Sequence, residues 1–270
     1  MKPVKKQYIS EMKNNYGGYN ATWAPGIPLQ IGDIGVFDED GAFDRKSNIA
    51  YFKIAFDICP DTTNDQLNYS SKGSASITAK LSGQIAPGSV LAVADVGAIV
   101  EFSKENSVVF KAKNVSYPSI ADQIQLEKDV IALYNQKQWN KDWCIITELV
   151  VAESATIIIS NSSNGKIELK ANANLSLAKI DIADAAFDFS TQFAKNLNTT
   201  IIAQEGLTPL FKARKLTFKG GGILQSPKTP DGLRQVKMRN KPVSGNVNMN
   251  VNANNQQESI ITLDDFVFNF

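Results

Sequence analysis

The chain has 270 residues, 43% of them apolar and 20% charged, with 28 basic side chains against 27 acidic ones and a formal charge of +1. Those proportions exclude a disordered chain and allow one large domain or two small ones around a sizeable core. There is no histidine, and the two cysteines are Cys59 and Cys144. The missing histidine removes Ser–His and Cys–His pairs and histidine metal ligands, and two cysteines do not indicate a disulfide framework.

The amino terminus, M-K-P-V-K-K-Q-Y, is basic and runs into Glu11, Lys13 and Asn14 with no apolar stretch behind it. That is not a secretory leader, and a cytoplasmic location is expected. The longest apolar runs, Val90–Ala94 and Val96–Val100, fall far short of the roughly 20 residues a membrane helix needs. Residues 1–50 are rich in turns, with short strands expected around Pro28–Ile31 and Ile34–Phe37. Ile49 to Cys59 alternates loosely and ends at Pro60, which predicts a strand, and Asp61 to Gly73 reads as a polar loop.

Two longer stretches dominate the pattern. Ser74–Ile85 puts Ala75, Ile77, Ala79, Leu81 and Ile85 on one face. Lys166–Leu177 does the same with Ile167, Leu169, Ala171, Ala173, Leu175 and Leu177. Strand side chains alternate faces, so each ribbon is wet on one side and greasy on the other. At about 3.3 Å per residue each reaches about 40 Å, enough for a tilted strand to cross a bilayer. The ordinary reading is a pair of soluble sheet strands with one face on a core. Between them, Pro87-Gly88 turns the chain, Val90–Phe102 predicts a returning strand and Val108–Val115 a third, as a meander.

Ser119, after Pro118 and with Asp122 three positions on, predicts a capped helix that ends near Gln138. Its apolar residues, among them Ile120, Ile124, Leu126, Val130 and Ile131, fit one core-facing side. Trp139 and Trp143 are expected to cover the junction. Trp143–Val151 continues as strand to Ser160, and Asn161–Gly165 supplies a tight turn, which predicts a long hairpin from about Ile145 to Leu177. Ile180–Phe193 is ambiguous between strand and helix. Thr199–Gln204 and Leu210–Phe218 read as strands.

Residues 212–241 carry nine basic side chains against one acid, Asp231. This is either a solvated face or a surface for anionic headgroups; sparse aromatics argue against nucleic acid. The chain closes I-I-T-L-D-D-F-V-F-N-F, apolar enough to dock rather than hang free. The carboxylate groups Asp38-Glu39-Asp40, Asp181/Asp184/Asp188 and Asp264-Asp265 read as loop or strand-face charges. Gly220-Gly221-Gly222 lacks the lysine of a phosphate loop. Neither an enzyme nor a cofactor is expected.

The helix, the Trp-containing junction and Ile145-Ile146-Thr147-Glu148-Leu149-Val150 resemble the gasdermin amino-terminal domain, as does Gly206–Lys212 ahead of a closing strand; the likeness covers about residues 75–218. It implies a pore-forming protein of the bacterial type, inactive until a protease removes a carboxyl-terminal segment. The fold class expected is α+β, a twisted, mostly antiparallel sheet with long hairpins and one or a few packed helices. Residues 1–244 would form the pore-forming domain and 245–270 a linker with an inhibitory segment, carried by Ile260, Ile261, Leu263, Phe266, Phe268 and Phe270. The two greasy faces would span the membrane, and Lys5, Lys6, Lys212, Arg214, Lys215 and Lys219 would meet anionic lipid headgroups. The remaining expected partners are further copies of the chain and the activating protease. The competing expectation is a soluble β-rich structural or binding module of a larger assembly.

Overall fold

The computed structural model describes residues 4–171, 189–219 and 260–266. In chain order the elements are helix α1 (Val4–Asn15), strands β1 (Asn20–Ala21), β2 (Asp33–Phe37) and β3 (Phe43–Asn48), and a 3-10 turn at Ile49–Phe52. Then follow β4 (Ile58–Cys59), β5 (Asp65–Ser70), β6 (Ala75–Lys80), β7 (Gly97–Phe102), β8 (Val108–Ser116), β9 (Ser119–Ile120) and helix α2 (Gln123–Asn135). The last five are β10 (Cys144–Ser160), β11 (Lys166–Ala171), β12 (Phe189–Lys195), β13 (Leu197–Lys219) and β14 (Ile260–Phe266). The fold is α+β, with antiparallel sheets and, among the described residues, two helices.

β10 and β13 form the spine of the main sheet and pair along the whole of β10, with a bulge at intervals. The other edge of β10 takes β2, β9 and β8 in turn, and these carry β3, β4 and β5. The other edge of β13 takes β1 and β14. A second sheet of four strands runs β12-β11-β7-β6.

At the end of the spine where β10 begins, Ile145, Ile146, Phe211 and Leu216 pack with α2, Trp139, Phe43 and Leu263 in one cluster. At the far end β10 is buried on both faces, which explains its Ile-Ile-Ile run. Ile157 and Ile159 face α1, together with Val108 and Phe110 of β8. Ile158 and Val109, one residue out of phase, face the small sheet through Val100, Phe102, Ile167 and Leu169. Alternation along a strand places these two sets on opposite faces.

Several expectations are corrected. Residues 4–15 form a helix that the turn-rich opening hides, because its buried stripe is only Tyr8, Ile9 and Met12. Ile49–Phe52 is a 3-10 turn, capped where the Asn48 side chain accepts from Ala50 N, so the strand expected over Ile49–Cys59 survives only as β4. The expected polar loop contains β5, held by β8. Helix α2 starts later than predicted: Asp122 is the cap, accepting from Gln125 N at 2.8 Å. Ser119 instead pairs with Glu148 and Cys59 in the sheet. The returning strand begins at Gly97 rather than Val90. Thr199–Gln204 and Leu210–Phe218 belong to one strand, β13.

The predicted hairpin is not formed, and of the predicted meander only the first pair, β6 with β7, is present. β10 does not pair with β11, nor β7 with β8; each pair is divided between the two sheets. The Asn161–Gly165 turn therefore passes the chain from one sheet to the other. Of the two greasy faces, Ala75, Ile77, Ile167 and Leu169 are covered by sheet-on-sheet packing.

Candidate functional site

The two sheets repeat one order of strands. In the main sheet β5, β8, β10 and β13 are neighbours in that sequence; in the small sheet β6, β7, β11 and β12 are neighbours in that sequence. Each small-sheet strand is joined to its main-sheet counterpart by a short crossing: residues 71–74, 103–107, 161–165 and Asn196. The arrangement is thus one four-stranded ribbon folded back on itself along a line. Positive φ marks the line at Gly73, Asn106 and Asn196, residue types that adopt the left-handed region at little cost.

The central pair keeps its register across the line. Val108 faces Ile159 in the main sheet and Glu101 faces Lys166 in the small one. The same number of residues separates Glu101 from Val108 as separates Ile159 from Lys166. The outer pairs do slip: Ser70 faces Val109 and Ala75 faces Phe102, five steps on one strand against seven on the other.

Four buried serines, Ser71, Ser74, Ser107 and Ser160, lie along the line. Their hydroxyls stand in where ladder bonds are interrupted. Val108 N donates to Ser71 Oγ at 2.9 Å, and Ser107 N donates to Ser160 Oγ at 2.9 Å. Ser107 Oγ donates to Ser74 Oγ, and Ser160 Oγ to Lys104 O, each at 2.9 Å. From α1, Glu11 Oε2 accepts from Ser71 Oγ at 2.6 Å and from the Tyr69 hydroxyl at 2.9 Å. Sequence reasoning missed these serines, since a small polar residue at the end of an alternating run reads only as a turn.

A strap, residues 81–96, lies over the outward face of the small sheet. Lys80 is buried, and its ammonium donates to Ala92 O and Asp95 O, both at 2.7 Å. Glu168, also buried, accepts from Ser89 Oγ at 2.6 Å and Val90 N at 2.8 Å and pairs with Lys166 at 2.8 Å. Burial pushes the Glu168 carboxyl up, but Lys166, Ser89 and Val90 outweigh it and hold it below the usual range. Lys170 pairs with Asp95 at 2.7 Å. The strap turns Ile85, Val90 and Val93 to solvent.

The sequence-predicted positions fall as follows. Ala75, Ile77, Ile167 and Leu169 face the main sheet, and Ala171 is buried, while Ala79 is exposed. Leu81 and Ile85 belong to the strap, because β6 ends at Lys80, whose ammonium is held by strap carbonyls. Ala173, Leu175 and Leu177 lie outside the described residues, as does the boundary proposed at 244/245. The two ribbons, distant in sequence, share the small sheet, with β7 between β6 and β11.

Four of the six predicted headgroup cations are engaged in pairs. Lys5 bonds Asp38 at 2.8 Å and Asp40 at 3.0 Å. Lys212 pairs with Glu148 at 2.9 Å and sits over the Tyr19 ring. Arg214 pairs with Asp265 at 3.1 Å and Lys215 with Asp142 at 3.2 Å. Lys6 is half-buried on α1, and Lys219 ends β13. In the carboxyl-terminal segment Leu263 is buried, Ile261 packs against the same core, and Ile260 and Phe266 bound β14. Phe268 and Phe270 lie outside the described residues. Cys144 is buried, which pushes its thiol up to about 12, and Cys59 is exposed. No helix among the described residues is long and apolar enough to cross a membrane.

Neither protein-family models nor curated protein sequences yield a match to this chain.

Proposed function

We propose that the chain is a pore-forming protein whose folded-back ribbon straightens and joins those of further copies to form a membrane barrel. The observation that carries this reading is the continuous register of β7–β11 with β8–β10 across the fold line. Straightening merges Gly97–Ser116 with Cys144–Ala171 without moving any central pair. Each merged strand exceeds the about ten residues a tilted barrel strand needs. The face of Ile167 and Leu169, now against the main sheet, would meet lipid, and the face of Lys166, Glu168 and Lys170 would meet water. In hydrocarbon every backbone edge must be paired, so several copies are needed to close the sheet.

β14 supports the inhibitory role given to the end of the chain. It covers β13 from Ala213 to Lys219 and places Asp265 on Arg214. Its loss by proteolysis would free both an edge and a cation for acidic lipid. A second reading, a soluble β-rich module, is favoured by one fact: Leu263 of β14 is built into the main core. Dye-filled vesicles of acidic phospholipid separate the two. Protein cut between Ser244 and Ser259 should release dye, and the uncut chain should not. A cut protein that remains folded and monodisperse yet releases nothing refutes the pore; one that unfolds on cutting supports the module.

A further inference from the structure

We infer that the serine row at the fold line is the hinge of this opening and that Glu11 of α1 is the clasp that holds it shut; the inference rests on the pore reading above. A sheet that bends must leave ladder groups without partners, and a buried unpaired N–H or C=O is costly. Along this line the serine hydroxyls replace the missing partners: Ser71 for Val108 N, Ser160 for Ser107 N and for Lys104 O. Hydroxyls rotate freely and both donate and accept. They can therefore release these groups to a straight ladder with no change in packing volume. Larger apolar residues would fill the line but satisfy nothing.

The clasp follows from where α1 lies. Tyr8, Ile9 and Met12 cover the face of β8 and β10 opposite the small sheet. Glu11, on the same helix, accepts from Ser71, the first residue of the crossing, and from Tyr69, the penultimate residue of β5. One carboxylate thus joins the helix to the bend. The rest of the docking is less complete, because the buried Tyr8 hydroxyl has no hydrogen-bond partner among the described residues. A helix held by a small apolar stripe, by Glu11 at the bend and by Lys5 on Asp38 and Asp40 at its start is suited to leaving as a unit.

Two measurements on the full chain test this. Glu11→Ala should speed amide exchange at Ser71, Asn106, Ser107 and Val108 by about tenfold, the loss expected for hydrogen bonds to a charged group. Exchange at Ile145 and Ile146 should stay unchanged. A rise spread evenly over both sheets overturns the clasp. For the hinge, Ser74→Cys with Ser107→Cys in a Cys59→Ser background places two thiols where hydroxyls stand 2.9 Å apart. Extending the register of the small sheet puts Ser74 opposite Ser103, and that of the main sheet puts it opposite Glu105. Neither matches Ser107, so a straight ribbon cannot hold this disulfide. After cleavage between Ser244 and Ser259, the oxidised form should release no dye from acidic-phospholipid vesicles, and reduction should restore release. Equal release from oxidised and reduced forms overturns the hinge and leaves the pore standing. Exchange confined to the fold line in Glu11→Ala, with no release from any cut form, upholds the clasp and rejects the pore.

Discussion

The two ends of the β10–β13 ladder are finished in different ways. Where β10 begins, Trp139, Trp143 and Phe52 meet edge to face, and Phe211 stacks on Phe37 and packs against Phe43. Where β10 ends, its Ile-Ile-Ile run packs on Phe110 and Tyr8 on one face and on Phe102, Ile167 and Leu169 on the other, and the strands turn over through hydrogen-bonded serines. Large rings in fixed edge contacts have no second arrangement of equal energy. Hydroxyls exchanging partners do. The lesson is that one continuous pair of strands can carry a permanent end and a reversible one.

Removing the permanent end should have the largest effect. Phe211 is fully buried, and Phe211→Ala should cost about 3–5 kcal/mol in global stability, read as a lower midpoint in chemical denaturation. A merely local effect would break the contrast. Lys80→Met should act next and stay local. It leaves the strap carbonyls of Ala92 and Asp95 without their donor at about 1–3 kcal/mol, which hydrogen exchange at residues 81–96 should register with little change elsewhere. Glu168 adds a pH dependence. Its carboxyl is held below the usual range, so its contribution is complete above about pH 4.3 and is lost as pH falls through the lowered value. Protection of the strap against proteolysis should decline in acid, and Glu168→Gln should abolish that decline. Lys5→Ala breaks a surface pair with Asp38 and Asp40 and should cost only about 0.2–1 kcal/mol by thermal melting.

What the sequence made legible was local. Cys144–Ser160, Val108–Val115 and the turn at Asn161–Gly165 are read almost residue for residue, because alternation and turn chemistry are short-range signals. The amphipathic residues Ile167 and Leu169 were found for the same reason. Their partners were not. An Asn-Gly turn between two β runs predicts a hairpin, but here the flanking strands find better neighbours elsewhere, β13 for β10 and β7 for β11. Helix α1 escaped because three lysines and a two-turn stripe give a weak period. The roles of the serines of the fold line and the hold of strap carbonyls on Lys80 are consequences of tertiary contact, and no neighbouring residue announces them.

The matched crossings also limit how the gene can change length. A single codon gained or lost in 103–107 or 161–165 would put the two strands it joins out of phase by half a turn, so that, with the main sheet held fixed, Val100 or Ile167 would face water and Glu101 or Glu168 the interior. Compensation would require a second indel of equal size in the opposite crossing. Homologues should therefore vary these two connections in tandem, or leave both alone.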